Sequence, residues 1–339
     1  MSNQAAWIKE SKANPVVVDS APVYTPGKGE VVVKNAAAAI NPVDWKIQDS
    51  GYFINTYPNI LGTDVAGTIE EVGEGVTEFK KGDRVLAYAA SLGLGGKPEY
   101  AGFQKYTLAP SFLVTKLPEN VSFDEGAVLP LGLATAAHGL FSDKHLSLVR
   151  PSGTPEAPRA KHNLLIWGGS SSVGASAVQL AARSGYTVIS TASAHNHDLV
   201  ISLGAAKVFD YKDPEVVSKI QDSVSGGEWV GAFDAISEGG SVEKSAEVIK
   251  TGKVATTLPP PENLPEGIQA SGVFAGLLAT QEAELGKWLF NEYLPGALAD
   301  GQVKPAPAPL VVEGGLEGTQ KAMDTLKKGV SGKKVVINP

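Results

Sequence analysis

Leu164-Leu165-Ile166-Trp167 runs without a break into Gly168-Gly169-Ser170-Ser171-Ser172-Val173-Gly174. An apolar strand, a turn of very small residues and a helix start, in that order, leave few folds open. Small side chains let a backbone approach a pyrophosphate. The helix start adds free N–H groups and the positive end of its dipole. Gly169 and Gly174 take the outer positions of a G-x-G-x-x-G spacing, with Ser171 in the middle, and Gly174 permits close packing of helix on strand. An ordinary Gly/Ser strand-to-helix turn has the same composition, so the surroundings must decide.

Those surroundings alternate. Strands are expected at 163–167, 187–191, 207–210, 230–235 and 253–257, with helices at 173–184 and at 197–203, the latter stopped by Gly204. Strand–helix–strand units at this spacing imply a parallel sheet with right-handed crossovers. Ahead of it, residues 124–146 are rich in Ala, Leu and Gly and read as helical pieces interrupted at Pro130, followed by a polar loop at 150–161. The first third differs. Short β-branched runs at 15–19, 30–34, 67–72 and 84–88, separated by glycine turns, suggest a compact barrel-like β domain. A proline-rich loop at 304–309, a helix at 316–327 and a strand at 334–337 close the chain.

The second strand of the parallel sheet bears on the nucleotide. An enzyme that prefers NAD usually ends this strand on an acidic residue. Here the segment reads Ser193-Ala194-His195-Asn196, with no carboxylate before Asp198. Hydroxyl, imidazole and amide groups can hydrogen-bond a 2′-phosphate and nothing there repels it, which favours NADPH. The same residues can also cap the helix that follows.

Bulk properties narrow the chemistry. The 339 residues suffice for two cores. A net charge of −7 disfavours nucleic acid or an anionic membrane as the main partner. No apolar run spans a bilayer and no secretory signal opens the chain, so the cytoplasm is the expected location. The chain has no cysteine. Disulfides, thiolate nucleophiles, iron–sulfur clusters and cysteine-rich zinc sites are thereby excluded. His195 and His197 diverge across a strand-to-helix turn with no third ligand in view. His138, His145 and His162 have no acidic neighbour in sequence, and no metal is expected.

Further segments carry a family resemblance. Ala39-Ile40-Asn41-Pro42-Val43-Asp44-Trp45-Lys46, Leu61-Gly62-Thr63-Asp64-Val65-Ala66-Gly67, Gly82-Asp83-Arg84-Val85, Gly132-Leu133-Ala134-Thr135-Ala136 and Phe209-Asp210-Tyr211 follow one another in order. With the small-residue turn they resemble the medium-chain dehydrogenase/reductases, in the zinc-free quinone oxidoreductase and enoyl reductase branch. The Ser-rich turn and Ser193-Ala194-His195-Asn196 resemble most the fungal trans-acting enoyl reductases that partner polyketide synthases.

The resemblance implies an α/β chain with a GroES-like β-barrel catalytic domain at 1–128 and 301–339. A Rossmann cofactor domain, a doubly wound parallel sheet, would occupy 129–300, with the active site in the cleft between the domains. It also implies roles. Val43, Asp44, Trp45, Lys46, Thr257, Leu258, Ser331 and Gly332 would contact the cofactor together with Gly169, Ser170, Ser171, Ser172, Val173, Ser193, Ala194, His195, Asn196 and Tyr211. Lys46, Tyr52 and Thr135 are the catalytic candidates. Gly132, Leu133, Ala136, Val273, Phe274 and Ala275 are the substrate-pocket candidates. Bland readings stand beside these: Asn41-Pro42 as a plain turn, Lys46 as a solvated charge, Tyr52 as an exposed loop aromatic, Thr135 as core, and 273–275 as an apolar strand.

Pro42 and Thr63 stand where zinc-dependent relatives have ligands, so no Lewis acid is expected and alcohol oxidation is disfavoured. The expected activity is zinc-independent hydride transfer from NADPH to an enone, quinone or enoyl substrate, with a synthase carrier domain as possible partner. Alternatives are zinc-free carbonyl or alcohol chemistry and a non-catalytic NADPH-binding sensor or scaffold. Pro259-Pro260-Pro261 and Pro265 precede the expected edge strand near Val273. Proline blunts such edges, which leans the expectation towards a monomer.

Overall fold

The computed structural model describes residues 2–152, 162–224 and 227–339. Most of the polar loop expected at 150–161 therefore lies outside the described residues. Packing divides the chain into two units, one of residues up to Leu131 together with Gly276–Pro339, the other Gly132–Ala275.

The first unit opens with β1 (Asn3–Ile8), β2 (Val17–Ala21) and β3 (Glu30–Ala39), then α1 (Pro42–Ser50) and β4 (Asn59–Ile60). β5 (Asp64–Val72), β6 (Arg84–Tyr88), β7 (Tyr106–Pro110) and β8 (Val114–Lys116) follow, then α2 (Phe123–Ala127). α3 (Pro130–Phe141) leads into the second unit, which contains β9 (His162–Trp167), α4 (Ser172–Arg183), β10 (Thr187–Thr191) and α5 (His197–Ser202). It continues with β11 (Lys207–Phe209), α6 (Val216–Ser223), β12 (Glu228–Asp234), α7 (Ser241–Ile249), β13 (Gly252–Thr256) and β14 (Ile268–Gly272). The chain returns to the first unit through α8 (Ala283–Lys287), a π-helical turn (Trp288–Tyr293) and α9 (Leu294–Ala299). It ends in β15 (Ala308–Val311), α10 (Thr319–Lys328) and β16 (Lys333–Ile337).

In the first unit a seven-stranded sheet runs β15-β16-β3-β5-β6-β8, with β7 on β3, and a smaller sheet runs β2-β1-β4. Both strands are largely buried, and Val31, Val33, Val65 and Ile69 join one apolar core. Each such side chain contributes about 1.5–3 kcal/mol by leaving water. The second unit is a six-stranded parallel sheet in the order β11-β10-β9-β12-β13-β14. That order, outward from β9 in both directions, is doubly wound and places its switch point at the carboxyl ends of β9 and β12.

Several sequence expectations shift. Residues 42–50 form a helix rather than a plain turn, because Asn41 is extended, Pro42 suits the first helical position, and Gly51 ends the helix left-handed. The edge strand is Ile268–Gly272, so Val273 and Phe274 follow it and Ala275 begins a short 3-10 turn. Residues 276–299, assigned from sequence to the cofactor domain, pack with the first unit. The Thr115 hydroxyl donates to Phe290 O at 2.6 Å, and Asn291 Nδ2 donates to Val114 O at 2.8 Å.

Candidate active site

Two constellations stand out, one in each unit. In the first, β3 ends, β5 begins, β6 ends and β16 begins at one place. Register pairs Asp64 with Ala39 and Tyr88, and Ile40 N–H donates to Val335 O. Side chains that would otherwise be orphaned polar groups meet there. Asp64 and Lys334 are 0% and 3% exposed, with Nζ 2.9 Å from Oδ2. Asn41 Nδ2 donates to Asp64 Oδ2 at 2.7 Å and to Thr63 Oγ1 at 2.9 Å, while its Oδ1 accepts from Lys334 Nζ. Asp64 Oδ1 accepts the Leu131 N–H at 2.5 Å. Asp44 Oδ2 accepts the Asn41 N–H at 2.7 Å and Oδ1 the Gly62 N–H at 3.1 Å. Burial, with a smaller contribution from the Asp64 charge, pushes the Asp44 carboxyl up to about 7. Burial and Asp64 also push the Tyr88 phenol up.

This donor set does not fit a divalent cation. Pro42 offers no ligand, the Thr63 hydroxyl is taken by Asn41, and an ammonium already neutralises Asp64. Among the described residues no three His, Asp or Glu side chains form a metal-binding group.

α1 presents Val43, Trp45 and Lys46 half-buried beside buried Asp44. The Lys46 ammonium stands 5.4 Å from the Trp45 ring centroid and that of Lys327 5.7 Å, with Lys327 held by Asp49 at 2.7 Å. Tyr52 is 68% exposed and edge-on to Phe53, apart from the buried network. Ser331 and Gly332 form the turn before β16, two residues ahead of Lys334.

In the second unit the small-residue turn has the form expected. Gly168 has φ +83°. A Cβ on Gly169 would lie 2.2 Å from Ser190 Oγ, and one on Gly174 2.1 Å from the Gly168 carbonyl oxygen. Ser171 caps α4, its Oγ accepting the Gly174 N–H at 3.0 Å, and Ser170, Ser172 and Val173 are half-exposed around the helix start. These residues fit a pyrophosphate. Ser193 Oγ donates to Tyr211 OH at 3.4 Å beside exposed Ala194 and His195. Asn196 is buried.

Other expected residues are placed differently. Leu133 and Ala136 are fully buried and Thr135 is 8% exposed, so that stretch of α3 is core. Gly132 is a packing point, since a Cβ there would lie 2.8 Å from Ser172 Oγ. Val273 packs near Gly139, Phe274 is half-buried and Ala275 is buried. Thr257 N–H donates to Ser237 Oγ at 2.9 Å, and Leu258 O accepts the Thr256 hydroxyl at 2.6 Å.

Sequence reasoning missed four features. Lys212, following Tyr211, places its ammonium 5.8 Å from that ring. Ile236 lies over Gly168, where a Cβ would come within 2.4 Å of its Cγ1. Ser237 has φ +57°, held by the Asp234 carboxylate, which accepts the Ile236 and Ser237 N–H groups at 2.9 and 2.8 Å. The signal was an aspartate ending a strand three residues before a serine, with Gly239-Gly240 just beyond. The fourth feature, the Asp64–Lys334 pair, had no local signal.

One unit with a GroES-like sheet carrying this network and another with a doubly wound parallel sheet define the class: the chain belongs to the medium-chain dehydrogenase/reductase superfamily of oxidoreductases. Residues 27–119 match the family model described as "Alcohol dehydrogenase GroES-like domain". The chain is 41% identical over 341 residues to the trans-enoyl reductase himH of Aspergillus japonicus, covering 99% of this chain and 97% of that one. Its fold is similar to an alcohol dehydrogenase superfamily protein from Novosphingobium aromaticivorans (25% identity, 99% of each chain, TM-score 0.79). It is similar also to the CurK enoyl reductase (20% identity, 99% of each chain, TM-score 0.75).

Proposed function

We propose that this protein is a zinc-independent, NADPH-dependent reductase of an activated C=C bond in an enoyl thioester, enone or quinone. The observation that carries the reading is the closed Asn41–Thr63–Asp64–Lys334 network, which fills with an internal ammonium a place where a Lewis acid would need open ligands. Bound NADPH supplies the hydride, delivered to the β-carbon of the acceptor.

The chain's own residues bind and orient. Ser170 to Val173 and the start of α4 receive the pyrophosphate. Ser193, His195, Tyr211 and Lys212 receive the 2′-phosphate, with Lys212 supplying the positive charge. Lys46, its ammonium against the Trp45 face, holds the oxygen on which negative charge develops. Water then protonates the α-carbon, so no strong general acid is required. The relative named as a trans-enoyl reductase favours an acyl thioester presented by a separate synthase carrier domain. The proline-flanked edge strand favours a monomer.

The test is NADPH consumption with enoyl thioesters, enones, quinones and simple aldehydes, repeated with NADH and with a chelator. Chelator-insensitive turnover of the C=C acceptors supports the reading. Chelator-sensitive aldehyde reduction overturns it, and NADPH binding without any turnover points to a sensor.

A further inference from the structure

One fully buried carboxylate touches three separated chain segments. Asp64 Oδ2 meets Lys334 Nζ at 2.9 Å, two residues beyond Gly332. The same oxygen accepts from Asn41 Nδ2 at 2.7 Å, at the entrance to α1 and hence to Val43–Lys46. Oδ1 accepts from Leu131 N–H at 2.5 Å, in the first turn of α3, where a carboxylate also faces the positive end of the helix dipole. Lys334 in turn donates to Asn41 Oδ1, closing a ring of three side chains. Stability alone is a poor reason for such an arrangement. Taking two charges out of water costs about as much as their attraction returns, and apolar pairs of equal volume often serve as well.

We propose that Asp64 and Lys334 are positioning residues. Their buried ion pair fixes the Ser331–Gly332 turn, the entrance to α1 and the start of α3 against one another, in the arrangement that receives the nicotinamide end of the cofactor. The internal cation does here, by ion pairing, what a coordinated metal does elsewhere: it holds several chain segments to one point. This rests on the proposed reading in one respect, that these segments hold NADPH.

The experiment compares Asp64→Asn, Lys334→Met, Lys334→Arg and the double variant Asp64→Asn/Lys334→Met with the unaltered protein. Three properties are read: melting temperature, NADPH affinity by direct titration, and amide hydrogen exchange. Each single charge removal strands the other charge and lowers the melting temperature. The double variant has no stranded charge and recovers most of it. A positioning role requires that NADPH affinity stay about tenfold down or worse in the recovered double variant. It also requires faster exchange at 42–46, 130–135 and 330–334, and partial rescue of affinity by Lys334→Arg. A double variant that regains affinity and exchange protection along with its melting temperature overturns the proposal. So do singles that fold and exchange like the unaltered protein. Loosened exchange in the variants, with no NADPH binding by the unaltered chain, sustains the positioning role and overturns the cofactor reading.

Discussion

Ser171 Oγ accepts the Gly174 N–H at 3.0 Å, so the residue in place of the motif's middle glycine is the N-cap of α4. Two substitutions separate cap from ligand contact. Ser171→Ala removes the cap and costs about 1 kcal/mol of stability, read by denaturant unfolding. Ser171→Asp keeps a good cap but places a carboxylate where the pyrophosphate is expected. NADPH affinity then falls about tenfold, roughly 1.4 kcal/mol, with stability nearly unchanged. Unaltered affinity in Ser171→Asp shows the turn to be structural only.

Gly174 is a sharper case, because two principles disagree about its sign. Replacing a helical glycine by alanine ordinarily gains about 0.5–1 kcal/mol. Here the new Cβ would lie 2.1 Å from the Gly168 carbonyl oxygen and 2.9 Å from Gly169 Cα, both backbone atoms. The clash wins: Gly174→Ala is expected to lose about 1–3 kcal/mol in urea unfolding and to weaken NADPH binding. A stabilised variant contradicts the close helix–strand approach.

The parallel sheet was legible because its period is local. Apolar runs such as Leu164–Trp167 and the glycines that stop each element lie within a few residues of one another. The α1 helix was not, since Asn41-Pro42 starts a turn and a helix equally well. β1 escaped because Ile8 is the one β-branched residue in NQAAWI and stands at its end, and β15 because Pro309 argues against one. The buried network is the extreme: Asn41 and Lys334 meet 293 residues apart, through strand register rather than spacing. Sequence showed what was missing at Pro42 and Thr63 but not the ammonium beside Asp64.

Lys212 gives a specificity prediction. Its ammonium, against the Tyr211 ring, is a cation near Ser193 and absent from the sequence-derived set. Lys212→Gln is expected to cost about 1.5 kcal/mol in binding NADPH, roughly tenfold, and to leave NADH nearly unchanged. Titration of both nucleotides checks this. Equal losses for the two place Lys212 outside the 2′-phosphate contact.

Asp44 links the network to pH. Burial raises its carboxyl from the ordinary 3.8 to about 7, the Asp64 charge adding to the effect. The folded chain therefore keeps a proton that the unfolded chain has released between about pH 4 and pH 7. Its contribution to stability is fully present below pH 4 and is lost as pH rises through 7. Asp44→Asn cannot ionise, so its melting temperature loses this dependence. Its one side-chain oxygen replaces two acceptors, leaving the Asn41 or Gly62 N–H unpaired at about 1–3 kcal/mol. The variant is thus less stable than the unaltered protein at pH 5, and the gap narrows towards pH 8. Melting curves at both pH values measure it. A gap constant with pH means that Asp44 titrates as an ordinary carboxylate despite its burial.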